Sequence, residues 1–199
     1  MPTGVHIRDA RKQLFDAAER ILLRAGPSAL TSRAVTTEAG CAKGVLHKHF
    51  DDFDGFLAEL VEDRIARIED QSVALRDSAG RGSVADNLTV ALTDLFGSVA
   101  GVIVSLIIFR DDLRARLRQA RPTGIPLLTE AAKMIVDYLA AERDLGRIAA
   151  DADIDTLAPT LIGSGHLQFA DRNSAAPAAD AVRKMVTTVI AGVVREPRT

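Results

Sequence analysis

The chain has 199 residues, enough for one large domain or two small ones with a sizeable core, and its 47% hydrophobic and 26% charged content is that of a globular protein. A single cysteine excludes an internal disulfide, an aromatic share of 4% with abundant alanine favours helices over strands, and the longest apolar run, residues 99–109, is too short to span a bilayer. The formal charge of -2 hides an asymmetry: residues 1–50 carry eight Lys or Arg against four Asp or Glu, a net +4, which leaves the remainder at -6. A basic head on an acidic body suits a nucleic-acid-binding module attached to something else.

A first helix is expected over residues 7–25. Leu14, Ala17, Ala18, Ile21, Leu22 and Ala25 recur at three- and four-residue steps, and Gly26-Pro27 ends the run. Arg8, Arg11 and Lys12 crowd its first turns, where they oppose the helix dipole; a nearby external anion or plain solvation accounts for them. Residues 30–50 then read as two short helices. Thr31 is an N-cap, Leu30 and Val35 form a hydrophobic staple, and a helix is expected over 32–39. Gly40 takes the left-handed position that closes it, and Cys41 turns inward as a small apolar side chain. The second helix is expected over 42–49, with Leu46 and Phe50 on its packing face and Lys43, Gly44, His47 and Lys48 on the other. Two helices joined this way form a helix-turn-helix, whose second helix enters the DNA major groove.

The pattern Thr31…Ala39-Gly40-Cys41-Ala42-Lys43-Gly44-Val45-Leu46-His47-Lys48-His49-Phe50 resembles the operator-binding domain of the TetR family of bacterial transcription regulators. The close match covers about the first quarter of the chain. Three positions depart from the family pattern: Ala42 replaces a capping Ser, His47 a Tyr, and Phe53 a Lys.

The next helix is expected from the Asp51, Asp52 and Asp54 turn to residue 78, long enough to link head and body, with residues 79–82 breaking the chain. Ser83 or Asp86 opens a helix to residue 100. Gly101 separates it from 102–109, apolar on every side and so expected to be buried. Residues 110–121 alternate acids and arginines as a short exposed helix or turn. Helices over 127–145, from Asp153 or Asp155 to 169, and over 178–195 complete the chain, with a loop at 172–177. The expected architecture is all-α: a three-helix head with the motif at 31–50 inside residues 1–52, and a body of six or seven helices over 53–199.

No constellation of catalytic type is visible. His47 and His49 lie two apart and face different sides of a helix, and Gly163-Ser164-Gly165-His166 lacks the strand-turn-helix setting of a nucleophile turn. No enzyme, no cofactor and no metal is expected. From the helix-turn-helix and the resemblance together, Lys43, His47 and Lys48 would contact double-stranded DNA. Gly44 and Val45 would allow close approach, and Thr31, Ser32 and Arg33 would hold phosphate. The resemblance implies an effector cavity among the body helices, placing Phe96, Ile103, Ile107, Tyr138, His166 and Phe169 around a small, mostly apolar ligand. It also implies a homodimer through the last two helices. Val182, Val186, Val189 and Val193 step by four, three and four there, and Gly163 and Gly165 permit a close crossing, although packing within one chain explains the same pattern. The expected function is that of a cytoplasmic repressor released from a near-palindromic operator by its effector. The rival is a helix-turn-helix regulator governed by a protein partner.

Overall fold

Sixteen residues rich in alanine, Ala10–Ala25, form α1 in the computed structural model, which describes residues 10–169 and 179–195. Arg8, the expected helix start at residue 7 and the expected loop at 172–177 lie outside the described residues. Gly26 leaves α1 at φ +78°, a conformation that glycine reaches without steric cost, and Pro27–Ala29 make one 3₁₀ turn. α2 spans Ser32–Glu38; the Thr31 hydroxyl accepts from the Ala34 N–H at 3.1 Å, and the staple residues Leu30 and Val35 are both buried. Gly40 turns the chain at φ +66°. α3, Gly44–His49, starts two residues later than expected. Ala42 has no side-chain oxygen to close a first turn, and only its carbonyl takes part, accepting from the Val45 N–H at 2.9 Å.

α4 covers Phe53–Asp77, 25 residues, or about 37 Å at 1.5 Å per residue. Its cap is Asp52, whose carboxylate accepts from the Gly55 N–H at 2.6 Å. The first turns of α4 belong to the core of the head. Phe15, Phe50 and Phe56 pack ring on ring, with Phe50 and Phe56 edge-on at 5.0 Å, while Leu14, Leu22, Leu46, Leu57 and Leu60 are buried around them.

The body adds α5 (Val84–Gly97), α6 (Ala100–Phe109), α7 (Asp111–Ala120), α8 (Leu128–Asp144), α9 (Ile154–Phe169) and α10 (Ala179–Ile190), so the described residues hold ten α-helices. α4 packs on α7 and α8, and α10 lies across α5 and α9. Two expectations change. α6 begins at Ala100 and includes Gly101; it is not buried throughout, because its last turn leaves the body core toward the 3₁₀ turn and leaves Phe109 85% exposed. α10 ends at Ile190, five residues early, because Val193 and Arg195 pair instead with Ala149 and Arg147 around an isolated bridge between Ile148 and Val194. No single helix among the described residues is long and apolar enough to cross a membrane.

Ion pairs tie body to head. Arg110 Nε donates to Asp54 at 2.5 Å, Arg116 donates to the cap residue Asp52 at 2.6 Å, and the nearly buried Arg64 of α4 pairs with Glu19 of α1.

Candidate nucleic-acid interface

Seven cations of the head lie among the described residues, and four are already engaged by the protein. Arg20 and Arg24 grip the two oxygens of Glu38 at 2.8 and 2.9 Å, binding α2 to α1. The Arg20 hydrogen bond, then that of Arg24, holds the Glu38 carboxyl below its usual range. Lys12 pairs with Asp16 at 2.7 Å. Arg11 pairs with Glu59, donates to the His49 carbonyl at 3.3 Å and lies 4.6 Å over the Phe50 ring, so groups of the chain itself engage it in addition to solvent or any external anion. Three remain, Arg33, Lys43 and Lys48; all are exposed, and none has an acidic or carbonyl partner among the described residues. Arg33 sits in the first turn of α2, Lys43 immediately before α3 rather than inside it, and Lys48 in its last turn beside the exposed His47.

The other expected contacts are placed less uniformly. A side chain at Gly44 would meet nothing of the chain within 4 Å, so no internal packing requires glycine there, and the space beside α3 is open to an outside partner. Val45 instead packs against the core. The exposed Thr31 hydroxyl accepts from its cap and keeps its own O–H to donate, whereas the Ser32 hydroxyl is buried without a partner. What the start of α2 offers an anion is its unpaired backbone N–H groups together with Arg33. Cys41 is half-buried and burial pushes its thiol up, the behaviour of a packing residue rather than a nucleophile.

Residues 14–60 match the family model for bacterial regulatory proteins of the tetR family. The head therefore carries the N-terminal domain of the TetR family. The match runs from the first buried leucine of α1 into α4, and so takes in the aromatic core that seats α3 as well as the motif itself. The TetR-family head is also 33% identical over 81 residues to the HTH-type transcriptional regulator PksA of Bacillus subtilis (strain 168). That similarity covers 39% of this chain, and the chain spans only 38% of PksA. A TetR-family transcriptional regulator from Agrobacterium tumefaciens superposes with a TM-score of 0.71 at 11% identity, covering 94% of this chain and 98% of that one. FadR from Bacillus subtilis, solved in complex with stearoyl-CoA, gives 0.67 at 14% identity, covering 91% and 98%. At these identities the whole-chain likeness is one of fold.

In the body the six residues expected around an effector divide. Phe96, His166 and Phe169 do meet, with ring centroids about 6 Å apart, and line a cavity of about 80 Å³ together with Ser98, Gly101, Val102 and Ser105. Ile103 and Ile107 do not face it in this structure and are fully buried core. Tyr138 is elsewhere, in a polar knot that pattern reading missed. Its hydroxyl donates to Glu142 at 2.7 Å and accepts from Asn87 at 3.0 Å, while Arg147 reaches Glu142 at 3.3 Å. Burial first, then the bond to Glu142, pushes the Tyr138 hydroxyl well up. The available signal was a Glu four residues from a Tyr on the buried side of one helix. A larger groove, about 240 Å³, lies between α4 and α5 and is lined by Gln71, Leu75, Ser78, Asn87, Val90 and Asp94 among others.

The residues expected at a dimer interface are mostly spent inside the chain. Val182 and Val186 are 0% exposed, Val189 and Val193 are half-buried against the same core, and Gly165 admits the Phe96 ring, to which an added Cβ would come within 2.7 Å. Only Gly163 is open. The faces of α9 and α10 left to solvent carry Pro159, Thr160, Gly163 and Leu167 on the first and Lys184, Thr187 and Thr188 on the second.

Proposed function

We propose that the chain is a homodimeric transcriptional repressor in which residues 1–52 read DNA and residues 53–199 pair the subunits and sense a signal. The observation that carries this reading is the set of unpaired cations around α3. Four of the head's described cations are spent on acids of the same chain, and Arg33, Lys43 and Lys48 stay free along the motif, an arrangement with no internal use and a ready phosphate-binding one. Two heads related by a dimer axis suit two half-sites of a near-palindrome. A small, mostly apolar effector is the proposed signal. Supporting it are the aromatic cavity at Phe96 and Phe169 and the shared fold of FadR, which was solved with stearoyl-CoA. At about 80 Å³ the cavity is far smaller than a usual ligand pocket of roughly 300–1,000 Å³, so an effector would bind an opened body and release DNA by favouring that state. The close packing of Ile103 and Ile107 favours the second reading, control by a protein partner without an effector.

The test is binding of Lys43→Ala and Lys48→Ala to cognate and scrambled duplexes across a salt series. Lys43, at the N-terminal end of the recognition helix, should lose about 1–3 kcal/mol on the cognate site alone. Lys48, at the other end, should weaken both duplexes alike and reduce the salt slope by about one unit per half-site. Wild-type affinity in both variants at every salt concentration would remove α3 from the DNA interface.

A further inference from the structure

Arg11 stands in the second residue of α1, where a basic side chain reads as a phosphate contact, yet its exposed guanidinium is engaged by three groups of the chain itself. Its guanidinium pairs with Glu59 of α4, donates to the backbone carbonyl of His49, the last residue of α3, at 3.3 Å, and covers the ring of Phe50, 4.6 Å from the centroid. Phe50 is the C-cap of α3 and is itself held edge-on to Phe56 of α4 at 5.0 Å. One planar cation therefore touches the last carbonyl of the recognition helix, the ring that ends it and a carboxylate on the next helix. The arrangement suits the electrostatics of a helix end, whose free carbonyls carry partial negative charge. A guanidinium supplies several donors and a stacking face at once, which an ammonium does not. α3 has only six residues and no side-chain N-cap, so little of its own structure fixes its orientation.

We infer that Arg11 and Glu59 are positioning residues for operator recognition, locking the C-terminal end of α3 at a fixed angle without touching DNA. The inference rests on the proposed DNA-binding function and adds to it a pair that governs sequence discrimination. Its sign differs from that of simple electrostatics. Neutralising Glu59 makes the head more positive, which by charge alone tightens binding to any duplex. Under the positioning role the same change loosens α3 and weakens binding to the cognate site.

The experiment uses the full chain and two duplexes: the one that the wild type itself selects from a random pool, and its scrambled sequence. Glu59→Gln, nearly isosteric, should weaken cognate binding about three- to tenfold while leaving scrambled binding equal or slightly tighter. Arg11→Ala should lose about tenfold or more on the cognate duplex and keep the wild-type salt slope. The double variant should be little worse than Arg11→Ala, because the two side chains act as one unit. Tighter cognate binding by Glu59→Gln overturns the inference. So does an Arg11→Ala variant whose salt slope falls by about one unit per subunit on both duplexes, the mark of a direct phosphate contact. If Arg11→Ala fails to fold, Glu59→Gln decides alone. A wild type that selects no sequence from the pool overturns the DNA-reading function and this inference with it, whereas a selective wild type with unaffected variants overturns the inference only.

Discussion

Tyr138 shows how much a single buried hydroxyl can hold. It lies between Asn87, which donates to it, and Glu142, which accepts from it and is 0% exposed, with Arg147 supplying the compensating charge. A buried carboxylate is tolerable only while it is paired and hydrogen-bonded. Asn87 also donates to the Arg81 carbonyl, and Arg147 to that of Gly82, so the knot ties the turn between α4 and α5 to the end of α8. Tyr138→Phe keeps the ring and its packing and removes only the bridge. It should cost about 1–3 kcal/mol in urea unfolding, with little change in DNA affinity, because the buried Glu142 and the half-buried Asn87 each lose a partner. Unchanged stability would mean that Asn87 and Glu142 reach each other or water unaided. Residue-scale features of this kind were legible in the sequence only where the partner is close by. Thr31 as a cap and Gly40 at positive φ rest on neighbours within a few positions, and both stand as expected. The partners of Arg11 are Glu59 on another helix and a carbonyl 38 positions away, and no local pattern points to either.

Among the elements, α4 runs from the head into the body, packing on α3 at one end and on α5, α7 and α8 beyond, and its N-terminus is tied by ion pairs to α7 and its N-cap residue Arg110. Asp52 caps the helix through the Gly55 N–H and also receives Arg116 from α7; Asp54 receives Arg110, which lies 5.4 Å from the centroid of the Phe53 ring. The Phe53 that replaces a lysine of the family pattern is thus used as a cation platform. The Gly55 N–H first, then the Arg116 hydrogen bond, holds the Asp52 carboxyl below its ordinary 3.8. A group depressed on folding stabilises the native state above its ordinary value, and that contribution is lost as the pH falls through the lower folded value. The melting temperature should therefore drop as pH falls below 3.8, and Asp52→Asn, which retains a capping oxygen, should flatten that part of the profile. A parallel profile in the variant would show that the charge of Asp52 contributes nothing to α4. Element boundaries follow the same rule of reach. α2 and α4 stand within a residue of expectation because Thr31 and Asp52 mark them locally. α6 was misread at its start because Gly101 looks like a break until the helix around it is seen, and α10 was overrun because its end is set by pairing with Ala149 and Arg147.

For the whole molecule, the valine seam of α10 marked a buried face correctly and gave no sign of what covers it. α5 and α9 of the same chain do so. Val186→Arg would therefore unfold the subunit rather than separate a dimer, and the informative substitutions lie on the solvent faces of α9 and α10. Thr160→Arg with Thr187→Arg should leave the circular dichroism and melting of the chain nearly unchanged and turn a sedimenting dimer into a monomer at micromolar concentration. A double variant that still sediments as wild type would place the dimer axis elsewhere. Effector and operator, if both bind, must weaken each other by the same factor. The central claim is that this chain reads DNA through Arg33, Lys43 and Lys48 of its TetR-like head. Its most direct test is selection of duplexes from a random pool by the full-length protein, followed by the stoichiometry and salt dependence of the selected site. The predicted result is a near-palindromic sequence bound by two chains, with affinity falling steeply as salt rises and with clear preference over a scrambled duplex. A pool that emerges unenriched, or a selected duplex bound no better than its scrambled form, would contradict it.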